Sequence, residues 1–285
     1  MTSGYRPRTL AERFDAFVVK SYLFLFARRS MQPVNQFFLR LSIRGLGYIN
    51  DSPGPDGSGE TQFIDILSRF SPQLCIDVGA SWGGYSGRLL RKTSATVFAF
   101  EPLPSSYEKA IKVETEFPGR VKVENVALGA QKSRLKLHYG EKTGLATLAP
   151  EVNAIDYVGR NNVNTVEVPV ITLDEYYRRN LKGKFNQLDF IKIDTEGYEF
   201  EVLSGAQQMF CDMPPKFVQI EFNMHHAYRG HPMTKFAGLL PGYRLYQILP
   251  YARGLAARNP RSLEASIYEY SNFVFVRGDI DVPTI

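Results

Sequence analysis

The chain has 285 residues, 44% of them hydrophobic and 22% charged, with two cysteines and a formal net charge of +5. That balance fits a soluble globular protein, one domain plus an extension, and so few cysteines exclude a disulfide framework and suit a reducing cytoplasm. The positive charge is concentrated: residues 1–50 hold eight Lys or Arg against two Asp or Glu, net +6, leaving −1 for the rest, so no nucleic-acid partner is expected for the working domain.

Residues 9–48 are expected to be helical. Phe14, Phe17, Val18, Tyr22, Leu25 and Phe26 recur at three- and four-residue spacing, and Arg28, Arg29, Arg40 and Arg44 flank the apolar clusters. One use of such an element is to lie on an anionic membrane, peripheral at its inner surface. The commoner use is a helical cap packed on the catalytic domain or on a second subunit of a homo-oligomer. No signal peptide is expected, because Asp15 and Lys20 interrupt the apolar run and no cleavage site follows. Ser21 to Ala27, the longest uncharged apolar stretch, is far too short to span a bilayer. Residues 51–59, Asp-Ser-Pro-Gly-Pro-Asp-Gly-Ser-Gly, read as a linker between an extension (1–59) and a domain (60–285).

A short helix, Glu60 to Phe70, leads to the first strand, with Pro72 stopping it. Strands are predicted near 73–78, 96–100, 121–126, 188–193, 217–222, 243–248 and 272–277, and helices near 84–92, 105–116, 172–179, 198–210 and 232–239. Short apolar runs alternating with helices imply an α/β fold, a mostly parallel sheet covered on both faces. The last strand follows a long loop and suits an antiparallel edge position. Residues 129–171 break the pattern. Arg134 to His138 and Thr165 to Val170 alternate as an antiparallel pair beside the main sheet. That insertion either shapes an acceptor pocket or lies as a solvent-facing hairpin.

Residues 74–85, Leu-Cys-Ile-Asp-Val-Gly-Ala-Ser-Trp-Gly-Gly-Tyr, carry the strongest signal. An apolar strand meets a loop of small residues, a helix starts near Gly84, and Glu101 ends the next strand. This is the layout of a pocket for an adenosine-bearing cofactor, with Glu101 on the ribose hydroxyls and Gly79 allowing close backbone approach. A dinucleotide fingerprint would place a second glycine at Ser81. The carboxylate of Asp77, two residues before Gly79, would repel a pyrophosphate and suit a cationic ligand such as S-adenosylmethionine. A structural turn with no ligand is the third reading.

The sequence resembles the FkbM family of S-adenosylmethionine-dependent methyltransferases. The matching pieces are Asp77-Val-Gly-Ala80, Phe100-Glu-Pro102, Asn125-Val-Ala-Leu128, Ile191-Lys-Ile-Asp-Thr-Glu-Gly-Tyr-Glu199 and Ser271-Asn-Phe-Val-Phe275. They span roughly residues 60–277, and their order is specific although each alone is weak. Ser81-Trp82 departs from the family pattern, and Trp82 would narrow the methionine end. The resemblance implies a class I methyltransferase, Rossmann-like, with a seven-stranded mostly parallel sheet, helices on both faces and an N-terminal helical extension. It implies a cofactor site of Asp77, Gly79, Ala80, Ser81, Tyr85, Glu101, Pro102, Asn125, Ala127 and Asp194. Asp77 would hold the methionine ammonium, directly or through water, Pro102 and Leu103 would cover the adenine face, and Asn125 and Ala127 would meet its edge.

Asp77, Glu101, Asn125, Asp194 and Glu221 all fall at the carboxyl ends of predicted strands, where open α/β sheets bind ligands. Thr195 is read as the cap of the helix after it, and Glu199 and Glu201 as first-turn acids complementing that helix's dipole. Methylation of a hydroxyl on a sugar, glycolipid or natural product needs a general base. The candidates are Asp194, Glu196, Glu221 and His225, with His226 beside them; the two histidines are otherwise loop residues bonded to backbone. Asp194, Glu221 and His225 also offer a mixed oxygen and nitrogen set for Mg or Mn. An NAD-dependent oxidoreductase and a non-catalytic cofactor-binding protein are the alternatives.

Overall fold

The structure is a computed structural model and describes residues 9–50, 57–251 and 254–282, so most of the predicted linker, residues 51–56, lies outside the described residues. The chain divides into two compact units, Met1–Leu46 and Gly47–Ile285.

The first unit is a helical hairpin. Helix α1 (Leu10–Phe26) starts in a capping box, in which the Thr9 hydroxyl accepts from Glu12 N–H and the Glu12 carboxylate accepts from Thr9 N–H at 2.6 Å. It ends where Arg28 turns extended and donates its guanidinium to the Phe24 carbonyl at 2.9 Å. One helical turn follows, and then α2 (Gln32–Gly45), with Pro33 in its first turn. The single predicted helical stretch is therefore two helices.

The second unit begins with α3 (Glu60–Ser68), β1 (Leu74–Val78), α4 (Gly84–Lys92), β2 (Thr96–Phe100), α5 (Pro104–Ala110), α6 (Lys112–Glu116) and β3 (Val121–Glu124). Next come β4 (Ala127–Leu128), β5 (Ser133–Tyr139), α7 (Asp156–Asn161), β6 (Asn164–Ile171) and α8 (Leu173–Tyr176). The second half holds β7 (Phe190–Ile193), α9 (Glu199–Ser204), α10 (Gln207–Asp212), β8 (Phe217–Phe222), α11 (Met224–Arg229) and α12 (Met233–Leu239). It closes with β9 (Tyr243–Ile248), β10 (Leu255–Arg258) and β11 (Ser271–Arg277).

Eight strands form the main sheet, in the order β10-β9-β11-β8-β7-β1-β2-β3. This is one more than expected. The addition is β10, a four-residue strand that pairs antiparallel to β9 after a short turn and was too brief to show as a periodic run. β3, β2, β1, β7 and β8 are mutually parallel, while β11 runs antiparallel between β8 and β9. Burial on both faces explains the unbroken apolar runs of β1, β7 and β8. Phe63 of α3 packs against Phe190 and Phe217 with ring centroids 5.7 and 6.0 Å apart, closing one face.

After β3 the chain leaves this side of the sheet and returns at β7 on the far side of β1, so the strand order reverses between β1 and β7. The register there decides where chemistry can sit. Val78 lies opposite Phe100 and Ile193, and Ile193 opposite Ile220. The next residue on each strand is therefore Gly79, Glu101, Asp194 or Glu221, all at one edge. The insertion forms its own sheet, β4-β6-β5, in which β5 and β6 pair antiparallel as predicted. Its Thr147 hydroxyl donates to the Glu196 carbonyl at 2.7 Å, which fixes it above that edge.

Candidate active site

A cavity of about 250 Å³ opens over the carboxyl ends of β1, β2, β7 and β8. Its floor starts at Gly79, whose amide and that of Ala80 both donate to the Phe100 carbonyl at 3.0 Å. Gly79 has φ +80°, and a Cβ placed there would stand 1.7 Å from the Asp194 carbonyl oxygen. Only glycine lets β1 and β7 close to this distance at their tips.

Glu101 is held at two points. One carboxylate oxygen accepts Ser81 N–H and the other Leu103 N–H, each at 2.8 Å. A carboxylate has about four lone-pair positions, so two remain for a ligand. Burial pushes the acid up to about 7, against the lowering effect of those two amides. Asn125 does not line the cavity. Its amide donates to the carbonyls of Glu101 at 2.8 Å and Pro102 at 3.2 Å, which fixes the loop that presents Glu101. Pro102, Ala127 and Ser81 are on the wall.

Asp77, Ala80 and Tyr85 are off the wall, which corrects the expectation of direct contact for Ala80 and Tyr85 and, of the two contacts expected for Asp77, the direct one. Asp77 is fully buried inside β1, where one carboxylate oxygen accepts the Ser86 hydroxyl at 2.6 Å and the other has no partner. In register it lies opposite Lys192 of β7. Tyr85 is turned into the core, donating its hydroxyl to Gln219 at 3.0 Å beneath the Lys192 ammonium. Leu103 packs in the core of the inserted sheet, and Trp82 is 69% exposed and does not narrow the pocket.

Lys192 organises the acids from below. Its ammonium sits 2.7 Å from Asp194 and is almost wholly buried. Burial pulls its pKa down, yet the charges of Asp194, Glu60 and Asp77 outweigh that and hold the group above its ordinary value. Lys192→Met is expected to cost about 3–5 kcal/mol of stability, because it leaves buried carboxylates without their cation. Urea unfolding checks this; an unchanged midpoint would show the ammonium to be dispensable.

Asp194, Glu196 and Glu221 converge on the cavity with oxygen atoms within 4.8 Å of one another. Burial raises Glu221 well above the usual carboxylate range, and the charges of Asp194, Glu196 and Glu199 push it further. Its carboxylate accepts the Asn223 amide. Glu196 stands at φ +56°, in a loop strapped by the buried Glu199, whose carboxylate accepts Thr195 N–H at 2.7 Å and Gly197 N–H at 3.0 Å. Glu199 is a first-turn acid of α9, as expected, and in addition clamps the loop before it. Thr195 does not cap α9; its hydroxyl is buried on the cavity wall without a partner.

His225 is not on the wall either. Its Nδ1 lies 2.9 Å from Glu196 Oε2 and its Nε2 3.3 Å from the Tyr157 hydroxyl, so it backs Glu196 from behind. The carboxylate trio that could hold a cation therefore has Glu196 in place of His225. His226 is a structural residue: burial drives it down to about 3, and its Nε2 bonds the Glu221 carbonyl at 2.9 Å. Sequence reasoning missed Tyr198 and Tyr270, which line the cavity with Thr143, Gly144, Ala146 and Leu148 of the insertion. Tyr198 lay inside a recognised motif, whereas nothing in the sequence placed Tyr270 or the insertion's loop over this edge.

The donor set fits S-adenosylmethionine. Four carboxylates, Glu101, Asp194, Glu196 and Glu221, line the cavity, and no Lys, Arg or His is among the described residues that do. A pyrophosphate would find no counter-charge here, while a cationic nucleoside would.

The Methyltransferase FkbM domain model matches residues 77–245. The hexuronic acid methyltransferase AglP of Haloferax volcanii is 28% identical over 155 residues, covering 53% of this chain and 57% of that protein. Methyltransferase sdnD of Sordaria araneosa is 29% identical over 167 residues, covering 50% of this chain and 64% of its own. The chain thus spans less than two-thirds of the length of either relative. Among solved structures, an O-methyltransferase of Bacillus cereus in complex with SAH aligns with a TM-score of 0.44 and 10% identity, over 83% of this chain and 88% of that one.

Proposed function

The chain belongs to the FkbM methyltransferase family, and on that premise we propose that it uses S-adenosylmethionine to methylate a hydroxyl of a sugar, glycolipid or natural product. One observation carries this reading: a cavity lined by acids and, among the described residues, by no basic side chain, at the strand-order reversal of a parallel sheet. Bound S-adenosylmethionine supplies an electrophilic methyl on a positively charged sulfur. Glu101 would take the ribose hydroxyls, Gly79 would let the backbone pass the methionine, and Asp194, just past β7, would favour the positive end. The insertion walls in the acceptor and keeps water out. The acceptor hydroxyl would give its proton to a carboxylate as its oxygen takes the methyl that bound S-adenosylmethionine would supply, leaving S-adenosylhomocysteine. Asp194, anchored by Lys192, and Glu196, backed by His225, are the groups in reach.

The match to a hexuronic acid methyltransferase directs the first acceptor panel to uronic-acid glycans. Transfer of labelled methyl to such a panel tests the reading. Binding of S-adenosylhomocysteine with no acceptor labelled would favour a cofactor-binding protein, and binding of NAD alone an oxidoreductase. A divalent metal is a second reading, favoured by the closeness of Asp194, Glu196 and Glu221. Chelation that stops turnover, with recovery on adding Mg or Mn, would support it, and undiminished turnover would remove it.

Affinity for S-adenosylhomocysteine is expected to fall as pH drops. Glu101 titrates near 7, so it is ionised above and neutral below that pH. If only the ionised form binds the ribose, affinity at pH 5.5 is about 30-fold weaker than at pH 8. Calorimetric titrations across that range check this, and Glu101→Gln should bind weakly at every pH. A flat profile in the unaltered protein would contradict the role given to Glu101.

A further inference from the structure

The helical hairpin of the first unit is inverted relative to a water-soluble helix pair. No residue of α1 or α2 is buried. Leu10 is 85% exposed and Phe24 74%, and Phe14, Phe17, Leu23, Leu25, Phe37 and Phe38 are all more than half exposed. Tyr22, Leu23, Phe24 and Leu25 are consecutive, and steps of about 100° carry their exposed side chains around the whole helix. Two hydrogen bonds tie α2 to the end of α1. The Tyr22 hydroxyl donates to Asn35 Oδ1 at 2.6 Å, and Asn35 Nδ2 donates to the Phe26 carbonyl at 2.9 Å.

The charge on this unit is predominantly positive. From Ala16 to Asn50 there is no acid, against Lys20, Arg28, Arg29, Arg40 and Arg44. Its two acids, Glu12 and Asp15, sit near the start of α1, and Glu12 is engaged in the cap. A second copy docking here would bring five cations against five, which like-charge repulsion opposes. An anionic lipid surface offers both an apolar layer for the aromatic and leucine side chains and phosphates for the cations. Crossing the bilayer is a different matter: α1 has 17 residues and α2 has 14, and no helix among the described residues is long and apolar enough to span it.

We infer that α1 and α2 lie in the headgroup layer of an anionic membrane, with their apolar side chains in the acyl boundary and Lys20, Arg28, Arg29 and Arg40 on lipid phosphates. The test is flotation of the full chain with phosphatidylcholine vesicles and with vesicles containing phosphatidylglycerol at about a third of the lipid. At least tenfold more protein should float with the anionic vesicles. Leu23→Asp with Phe24→Asp and Phe37→Asp should lose binding to both. Arg28→Gln with Arg29→Gln and Arg40→Gln, which keeps the apolar faces, should lose only the preference for anionic lipid. Circular dichroism melts establish that both variants fold. Equal flotation with both vesicle types, or none with either, overturns the inference. So does a dimer in sedimentation velocity that the aspartate variant dissociates while the unaltered protein ignores vesicles.

Discussion

Gly79→Ala is expected to abolish cofactor binding and to destabilise the catalytic unit by at least about 2 kcal/mol. Two independent costs act at this position. The backbone is at φ +80°, where any residue with a Cβ is strained, and the Cβ itself would overlap the Asp194 carbonyl at 1.7 Å. The overlap is with backbone, so no side chain can swing aside. Relief requires the tips of β1 and β7 to part, and Asp194 N–H then loses its 2.9 Å bond to the Val78 carbonyl. Both Glu101 and Asp194 depend on that closure for their placement. Calorimetry with S-adenosylhomocysteine and urea unfolding read the two effects separately. Normal affinity in the variant would show that close approach at this point is not what builds the pocket.

Asp194→Asn is expected to lower turnover by a factor on the order of 10²–10⁴, the range for losing a general acid or base. The amide has the same shape, and its oxygen still accepts from Lys192, so the fold should survive. What it loses is the charge that would face the positive sulfur and the capacity to take a proton. The effect should therefore fall on kcat, with S-adenosylhomocysteine affinity changed less than about tenfold. Equal turnover in the two proteins would move the proton-accepting role to Glu196. Glu196→Gln should then show the loss instead, since His225 stands behind that carboxylate at 2.9 Å.

All seven predicted strands of the main sheet exist, because strands covered on both faces leave unbroken apolar runs that any reader of the sequence meets. The glycine loop and the acids after β2 and β7 were legible for a related reason: a strand that stops at a polar residue marks its own carboxyl end. What the sequence could not show is face and depth. Asp77 is two residues from Gly79 along the chain, yet it lies within β1 and turns into the core opposite Lys192, while the cavity begins only past the strand. Asn125 follows β3 at the right edge, but its amide is taken by carbonyls of the neighbouring loop. His225 and Glu196 are 29 residues apart, and Glu196 alone of the two lines the cavity, since α11, a six-residue helix without a periodic signature, sets the histidine behind the acid. The departure of β10 and the break of the predicted 198–210 helix into α9 and α10 have local causes. A four-residue strand carries no pattern, and Gly205 ends α9 where a Cβ would stand 2.0 Å from the Gly129 carbonyl.

The placement of Glu101 on the ribose is tested most directly by a crystal structure of the protein grown with S-adenosylhomocysteine. The adenosine should lie in the cavity above Gly79, with both ribose hydroxyls within hydrogen-bond distance of the Glu101 carboxylate and the sulfur towards Asp194. A nucleoside bound elsewhere, or bound there with Glu101 turned away from the ribose, would contradict the account.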